Sequence, residues 1–337
     1  MRFRSFALYA FILAAVLVSC KRNRLNINVS GIEADVKITR FDKSLFSVSS
    51  ENFKQDVLKL RNTCTAFFDL FTSRMINIGV VDDSMFFGEL KKFVTDTMIL
   101  NVRKQVENNF SDFSGLKKQI DNAFVHYRYY FPAKKIPDLY TCISGFNQSI
   151  VIAENLIGIS LDKYLGPDYP YYERLGIPKY DRLKMYKARL PVDVMYGWAT
   201  GEFPKSSNES NVLSYMIYEG KLLYFIDAMF PKMQDSLKIG FTGKQLDWCK
   251  TNEARMWTIL VENKRIYSTE RMDVKRLIDN SPYTNGFPLE SPGRAGVWIG
   301  WQIVRQYMDK HPEVTLPQLM ALDDSQKILN DSKYFPE

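Results

Sequence analysis

The sequence predicts an α+β domain that is predominantly α-helical and has a small central β-sheet. Apolar residues recur at helical spacing before residue 130 and again after residue 211. Between these two blocks, residues 139–143, 150–153 and 156–161 form short runs rich in β-branched residues, separated by turn residues. At 46% apolar content, 337 residues can bury one large core. We therefore predict that residues 34–337 form a single globular domain.

The elements follow in order along the chain. Alternation at residues 36 and 38 predicts a first strand, and apolar stripes predict helices within residues 53–60, 67–71, 83–109 and 116–130. In the last third, Thr242 and Gln245 have the spacing of a capping box. Ser291 followed by a proline predicts the start of a helix that reaches about residue 308. Gly296 and Gly300 are four residues apart on that helix, which predicts close packing against a neighbour.

The N-terminus has the layout of a bacterial lipoprotein signal. Arg2 and Arg4 precede an uncharged run over residues 6–18, and residues 17–20 read Leu-Val-Ser-Cys. A run of 13 residues is too short for a bilayer core that needs about 20. We predict a signal peptide at residues 1–19, lipidation of Cys20, and a tether over residues 20–33. Two or more acyl chains, palmitate among them, hold a protein stably in one leaflet.

The net charge and the cysteine content reduce the number of functions that the sequence allows. Removal of the signal peptide lowers the net charge from +7 to +5, and the remaining basic residues form no nucleic-acid-binding stripe. The basic cluster at residues 21–24 is either a solvated tether or a contact with anionic head groups. Cys64, Cys142 and Cys249 permit at most one internal disulfide. Their apolar neighbours favour small core residues over reactive thiols.

Acidic residues on a buried helix are the candidates for chemistry. Residues 211–231 are apolar on nearly all sides, with Glu219 the only charge on one stripe and Asp227 at the end of the other. A buried carboxylate must be paired, hydrogen-bonded, cation-bound or protonated. The simplest expectation for Glu219 is an arginine or tyrosine hydroxyl partner, and a functional or relict site is the alternative. Asp193 could pair with Glu219, and two carboxylates without imidazole suit calcium better than catalytic zinc.

Several segments keep their order along the chain and carry a family resemblance. Together with the residues around Cys20, they resemble the gliding motility lipoprotein B (GldB) family: Thr39-Arg40-Phe41-Asp42, Ile143-Ser144-Gly145-Phe146, Ile159-Ser160-Leu161-Asp162-Lys163-Tyr164-Leu165-Gly166, Glu219-Gly220-Lys221-Leu222-Leu223-Tyr224, Glu290-Ser291-Pro292-Gly293-Arg294 and Trp301-Gln302-Ile303-Val304. The resemblance implies an envelope lipoprotein required for gliding and linked to type 9 protein secretion. Its implied partners are other envelope proteins of that machinery.

That family is in turn similar to predicted zinc metallopeptidases with a zincin-like core. In those proteins a His-Glu-x-x-His helix supplies two ligands, and a glutamate equivalent to Glu219 supplies the third. The corresponding helix would lie within residues 178–203, which contain no histidine, and the chain has only His126 and His311. A zinc site of two histidines and a glutamate cannot be built there. We therefore expect no catalytic residue, metal or cofactor, with Glu219 and Asp193 a possible relict or functional acidic site.

These observations favour a non-catalytic, peptidase-like scaffold that docks partner proteins. One alternative is a metal-dependent peptidase or hydrolase with an atypical acidic site. Another is a glycan- or peptidoglycan-binding module that uses the tyrosines of residues 164–180, such as Tyr169, Tyr171 and Tyr172. By resemblance, Lys21 and Arg22 stand where surface-exposed lipoproteins carry acidic residues. This favours the periplasmic side of the outer membrane, with the inner membrane as the alternative.

Overall fold

A computed structural model describes residues 24–337. The predicted signal peptide and Cys20 lie outside the described residues. Helices of very different length make up most of this part of the chain: α1 (Phe41–Phe46), α2 (Phe53–Thr63), α3 (Thr65–Leu70), α4 (Phe86–Thr95), α5 (Thr97–Asn109), α6 (Ser114–Tyr130), α7 (Pro170–Arg174), α8 (Lys179–Arg182), α9 (Leu190–Glu202), α10 (Val212–Met229), α11 (Asp235–Ile239), α12 (Gly243–Thr251), α13 (Glu253–Glu262), α14 (Arg271–Ile278), α15 (Ala295–Lys310), α16 (Leu316–Ala321) and α17 (Ser325–Ser332).

A small mixed sheet lies in the middle of the described chain. Its strands are β1 (Ile38–Thr39), β2 (Asp138–Cys142), β3 (Ile150–Ala153) and β4 (Leu156–Ser160), in the order β1-β2-β4-β3. The pairs β1–β2 and β2–β4 are parallel, whereas β3 and β4 form an antiparallel hairpin. The prediction of a mostly helical α+β fold with a small sheet is therefore confirmed. The zincin-like core stays a prediction.

The two faces of the sheet cover two different apolar clusters. On one face, Tyr140 of β2 stacks on Phe67 at 4.6 Å, within a cluster built mainly from phenylalanines of α1, α3 and α4. On the other face, Ile150 and Ile152 of β3 pack on α9. A Cβ added at Gly197 of α9 would lie 2.9 Å from Ile150, so glycine permits this close approach. The sheet thus separates a phenylalanine-rich layer from the larger helical core.

The larger core is organised around α10, which is buried along almost its whole length. Its closest neighbour is α15, and the two backbones touch at paired glycines. A Cβ at Gly300 would lie 1.9 Å from the carbonyl oxygen of Met216, and one at Gly220 would lie 2.4 Å from that of Gly300. Gly296 is similarly tight, since its Cβ would lie 2.8 Å from the carbonyl oxygen of Leu277. The predicted close packing at Gly296 and Gly300 is confirmed.

Two details of the predicted helices are corrected by the structure. The pattern over residues 83–109 forms two helices, α4 and α5, because Asp96 is extended and caps α5 by accepting a hydrogen bond from the Ile99 backbone N–H. The helix predicted to begin at Pro292, with Ser291 as its N-cap, begins three residues later, at Ala295. The three remaining cysteines are buried and free among the described residues, as their neighbours predict.

Candidate functional site

Glu219 lies in the middle of α10 and faces two donors from different elements. Its Oε2 atom accepts hydrogen bonds from the hydroxyl of Tyr196 on α9 and from Arg294 Nη2, 3.1 Å away. The side chain is 17% exposed, and that of Arg294 is 14% exposed. Burial and the Glu219 charge raise the pKa of the Tyr196 hydroxyl, so it stays a proton donor to the carboxylate. Glu219 thus has both kinds of partner that its buried position predicts.

Arg294 is positioned by a tightly built loop before α15. A Cβ at Gly293 would lie 2.0 Å from the carbonyl oxygen of Ser281, which restricts that position to glycine. The Thr284 hydroxyl donates to the carbonyl oxygen of Pro292 at 2.6 Å and accepts from the Ala295 backbone N–H at 2.8 Å. Arg294 itself has φ 56°, a left-handed conformation that non-glycine residues adopt at a cost of about 1–3 kcal/mol. The loop therefore holds a strained backbone that directs the guanidinium toward Glu219.

Asp193 lies on α9, three residues before Tyr196, but binds different partners. It accepts from Arg189 Nε at 2.6 Å and from the hydroxyl of Tyr164 at 3.1 Å. Arg189 also donates from Nη1 to the backbone carbonyl oxygen of Lys238 at 2.8 Å, so two nitrogens of its guanidinium are hydrogen-bonded. The structure therefore brings Asp193 and Glu219 into one polar region without a hydrogen bond between them, each carboxylate being held by its own arginine and tyrosine.

A third cation belongs to the same region. Lys184 donates a hydrogen bond to Asn280. Burial, together with the positive charges of Arg294 and Arg189, lowers the pKa of Lys184 to about 7. The two arginines lower the pKa of this lysine more than the neighbouring acidic groups raise it. We name Tyr196, Glu219 and Arg294, with Arg189 and Asp193, the Glu219 site.

The donor set of the Glu219 site does not fit a zinc ion. A catalytic zinc site needs three protein ligands, usually with imidazole among them, and an open position. Glu219 is instead bound to a guanidinium, whose positive charge repels a metal ion. Within residues 24–337, no group of three or more histidine, cysteine or acidic side chains is arranged to hold a metal ion. We derive no metal-dependent step for this site.

Both histidines lie in other surroundings. The Nδ1 atom of His126 is 2.8 Å from the carbonyl oxygen of Asn122 in its own helix. His311 follows α15, packs on Tyr307 and has Nδ1 3.0 Å from Glu313 Oε1. Neither imidazole contacts the Glu219 site.

Asp227, the second carboxylate of α10, is enclosed by a different network. It accepts from Lys238 Nζ at 2.7 Å, from Trp301 Nε1 at 2.9 Å and from Arg305 Nε and Nη2 at 2.8 Å each. Arg305 also makes a bidentate pair with Asp235. The Asp227 side chain is 5% exposed. We name Asp227, Lys238, Trp301, Arg305 and Asp235 the Asp227 site.

The comparisons with known proteins identify the family. Residues 22–336 match the family model described as gliding motility protein GldB. The chain belongs to the GldB family. Comparison with curated proteins and with solved structures gave no match. Membership makes this a protein of gliding motility, and the lipoprotein character of the family places it at the cell envelope, held there by lipid. None of the helices within residues 24–337 has the length and apolarity needed to cross a bilayer.

Two of the segments that resemble the GldB family have local structural roles. Arg40 pairs through Nε and Nη2 with Asp42 at 2.9 and 2.7 Å, and its Nη1 donates to the carbonyl oxygen of Phe110 at 2.9 Å. The Asp162 carboxylate accepts the backbone N–H groups of Ser144 at 3.2 Å and Phe146 at 2.6 Å. Burial raises the pKa of Asp162 to about 6, against the effect of these two donors. Through these contacts the two segments join loops and strands.

The tyrosine-rich segment of this GldB-family chain mainly covers the core. The hydroxyl of Tyr172 donates to the carbonyl oxygen of Asp162 at 2.6 Å and accepts from the Leu165 backbone N–H at 3.0 Å. Tyr169 and Tyr171 are half-buried, and their rings pack around Phe146. Most of each ring is thus already in contact with protein.

Sequence reasoning missed several members of the Glu219 site. Tyr196, Arg189 and Arg294 were not predicted as members of this site. Tyr196 lies on α9 and Arg189 directly precedes it, and the apolar pattern of this helix gives no signal for the partner of a single polar side chain. One signal was available, because the predicted similarity to zinc metallopeptidases would put a helix facing Glu219 within residues 178–203, the range that contains α9. Its polar positions were the natural candidates to face Glu219.

Proposed function

We propose that this chain is a lipid-anchored envelope protein required for gliding, linked to type 9 protein secretion, whose domain docks partner proteins without catalysing a reaction. Membership of the GldB family supports the gliding role. The Leu-Val-Ser-Cys sequence at residues 17–20 supports the anchor at Cys20. The observation that carries the non-catalytic part is the hydrogen bonding of Glu219 Oε2 to both Tyr196 and Arg294.

The positive charge of Arg294 beside Glu219 opposes both a general-base role and a metal-ligand role for this carboxylate. A general base must be free to accept a proton from water or substrate, and a metal ligand must face a cation. In this protein the Glu219 carboxylate is paired with a guanidinium and accepts a hydrogen bond from a phenol. Freeing Glu219 would leave the Arg294 guanidinium buried and unpaired, which is unfavourable. A carboxylate held in this way serves to join α9, α10 and the loop before α15.

Metal analysis tests this proposal directly. The acylated protein, purified without added metal, is analysed for zinc and calcium, and its thermal unfolding is measured with and without a chelator. We expect substoichiometric metal and no change in Tm on chelation. One equivalent of zinc per chain, together with a chelator-sensitive Tm and hydrolysis of a peptide, would establish the enzymatic alternative.

Docking is tested by crosslinking in gliding cells. A photo-crosslinkable residue is placed at exposed positions of the full-length protein, and crosslinked proteins are identified after purification. We expect envelope proteins of the gliding or type 9 secretion machinery. The matched control carries the crosslinker at buried Leu223. Crosslinks to lipid alone at every exposed position would contradict the docking proposal.

A further inference from the structure

Arg24 fixes the start of the described chain to one end of α15. Its guanidinium donates to the carbonyl oxygens of Met308, His311 at 3.3 Å, Pro312 at 3.4 Å and Val314 at 2.7 Å. These carbonyls lie at and just beyond the C-terminus of the helix, where the helix dipole favours a cation. The next residue, Leu25, is 8% exposed and belongs to the large core. The part of the predicted tether from residue 24 onward is therefore bound to the domain.

The short stretch of chain from Cys20 to Arg24 limits the orientations that the domain can adopt relative to the membrane. Four residues span at most about 14 Å, even when fully extended. A domain of this size has a radius of gyration of about 20 Å. An anchor shorter than the radius of the body allows only the face around the attachment point to approach the membrane. Lipidation of Cys20 would therefore give the domain an orientation as well as a location.

The residues that follow Arg24 line one wall of a cleft with mainly apolar sides. A cleft of about 490 Å³ is lined by Ile27, Val29, Phe230, Pro231 and Met233, among others, with His126 and Lys232 also in its wall. Its mix of apolar walls with a lysine and several uncharged polar side chains matches the boundary between acyl chains and head groups.

A neighbouring cleft adds aromatic side chains to this surface. It has a volume of about 400 Å³ and is lined by Arg24, Ile27, Tyr129 and Tyr130, among others. Tyr129 is 45% exposed. Tyrosine rings are enriched at membrane–water interfaces, because one end is apolar and the other is wet. We name Arg24, Ile27, Tyr129, Tyr130 and Lys232 the Arg24 face.

We propose that the Arg24 face lies against the bilayer that holds the acyl chains of Cys20, so that α15 directs its N-terminus away from that bilayer. This inference rests on the lipid anchor of the proposed function. The helix α15 has 16 residues and is about 24 Å long. Arg24 binds one end of it, and Arg294 precedes the other. The Glu219 site therefore lies about one helix length beyond the Arg24 contact, on the side open to partners in the periplasm.

Spin-label depth measurements test this orientation. The full-length acylated protein is reconstituted into vesicles of phosphatidylethanolamine and phosphatidylglycerol, with a nitroxide at Tyr129→Cys. The matched control is Leu289→Cys, since Leu289 is 72% exposed and lies five residues before Arg294. Cys64, Cys142 and Cys249 are buried, so labelling is directed to the introduced thiol. We expect a several-fold higher ratio of collisions with oxygen to collisions with a water-soluble nickel complex at position 129 than at position 289.

Further variants test the orientation of the domain and the role of Arg24 separately. A label at Lys232→Cys repeats the measurement on the Arg24 face and covers the case in which Tyr129→Cys fails to fold. Arg24→Ala removes the contact with α15 and should lower the ratio at position 129 several-fold. An unchanged ratio in Arg24→Ala would overturn the role of Arg24. Equal ratios at positions 129 and 289 in the wild-type background would overturn the orientation.

Intact mass and vesicle flotation distinguish this inference from the proposed function. If Cys20 is acylated and the protein floats with vesicles, equal label ratios reject only the orientation. If Cys20 is unmodified and the protein does not float, the proposed lipid anchor and the orientation both fail.

Discussion

The two carboxylates of α10 differ in how completely the protein satisfies them. Asp227 uses both oxygens to accept four hydrogen bonds from a lysine, a tryptophan and an arginine, and its side chain is 5% exposed. Glu219 lies eight residues earlier, about 12 Å along the helix. It uses one oxygen for two donors and is 17% exposed; among the described residues its Oε1 atom accepts no hydrogen bond.

The difference separates a structural ion-pair network from a region that function could use. The Asp227 site ties α10, α11 and α15 together at almost full burial. At the Glu219 site, the buried Nε atom of Arg294 has no hydrogen-bond partner among the described residues, and a nearby lysine has a pKa of about 7. Both carboxylate oxygens of Asp227 are hydrogen-bonded, whereas the Glu219 site retains polar atoms that have no hydrogen-bond partner among the described residues. We therefore expect substitution of Asp227 to lower stability more than substitution of Glu219.

The largest expected effect comes from the helix contact on which both sites depend. Gly300→Ala places a Cβ 1.9 Å from the Met216 carbonyl oxygen, so α10 and α15 must separate. We expect the free energy of unfolding to fall by at least about 3 kcal/mol, measured by urea denaturation. The control is Gly115→Ala in α6, where an added Cβ meets no heavy atom within 4 Å. It should be neutral or slightly stabilising, and equal losses in the two variants would contradict the packing account.

Asp227→Asn should be the more damaging of the two carboxylate substitutions. It removes the charge opposite Lys238 and Arg305 and replaces one acceptor oxygen by a donor. Breaking a buried ion pair on one side costs about 3–5 kcal/mol. Urea denaturation of purified protein measures the loss. A cost below about 1 kcal/mol would show that the Asp227 network contributes little to stability.

Glu219→Gln should lower the free energy of unfolding by only about 1 kcal/mol. The glutamine carbonyl oxygen can still accept from Tyr196, and the site is partly open to water, so the lost charge is partly compensated. The comparison with Asp227→Asn, made in the same denaturant series, uses matched amide substitutions on one helix. Equal costs at the two positions would remove the distinction between the sites.

The smallest effect is expected from Lys184. Its pKa is lowered in the folded protein to about 7, whereas an unfolded lysine titrates near 10.4. Between these values the unfolded chain binds more protons, so this group makes stability rise with pH from about 7 to 10. Lys184→Met should be more stable than wild type by on the order of 1 kcal/mol at pH 7. Stability curves at pH 7 and pH 9.5 test this, because the advantage should shrink at the higher pH.

The fold was largely predictable where periodicity carries the information. The three runs after residue 138 gave β2, β3 and β4 almost to the residue, because short β-rich runs between turn residues leave few alternatives. The spacing of Gly296 and Gly300 predicted a close helix contact. The start of α15 was missed, because Ser291 binds the Thr284 backbone N–H instead of capping a helix. The cap signal alone does not reveal this competing partner, which lies seven residues earlier in a loop.

The candidate site was predictable only in part. A buried helix made Glu219 stand out and predicted the kinds of donor it would need. The identity of those donors could not be inferred, because Tyr196 and Arg294 are 23 residues before and 75 residues after it in the chain. The suggested pair of Asp193 with Glu219 could not be tested from spacing alone, and in the structure Asp193 binds other partners. Its separate pairing with Arg189 and Tyr164 depends on side-chain geometry that spacing does not encode.

Gliding by cells that carry Glu219→Gln tests the central claim most directly. The variant replaces the wild-type gene, and its abundance and acylation are measured alongside colony spreading and the movement of single cells. A non-catalytic scaffold needs the shape and hydrogen bonds at position 219 but not a base or metal ligand, so we predict gliding at close to the wild-type level. Loss of gliding in a variant that is folded, acylated and as abundant as wild type would contradict the account.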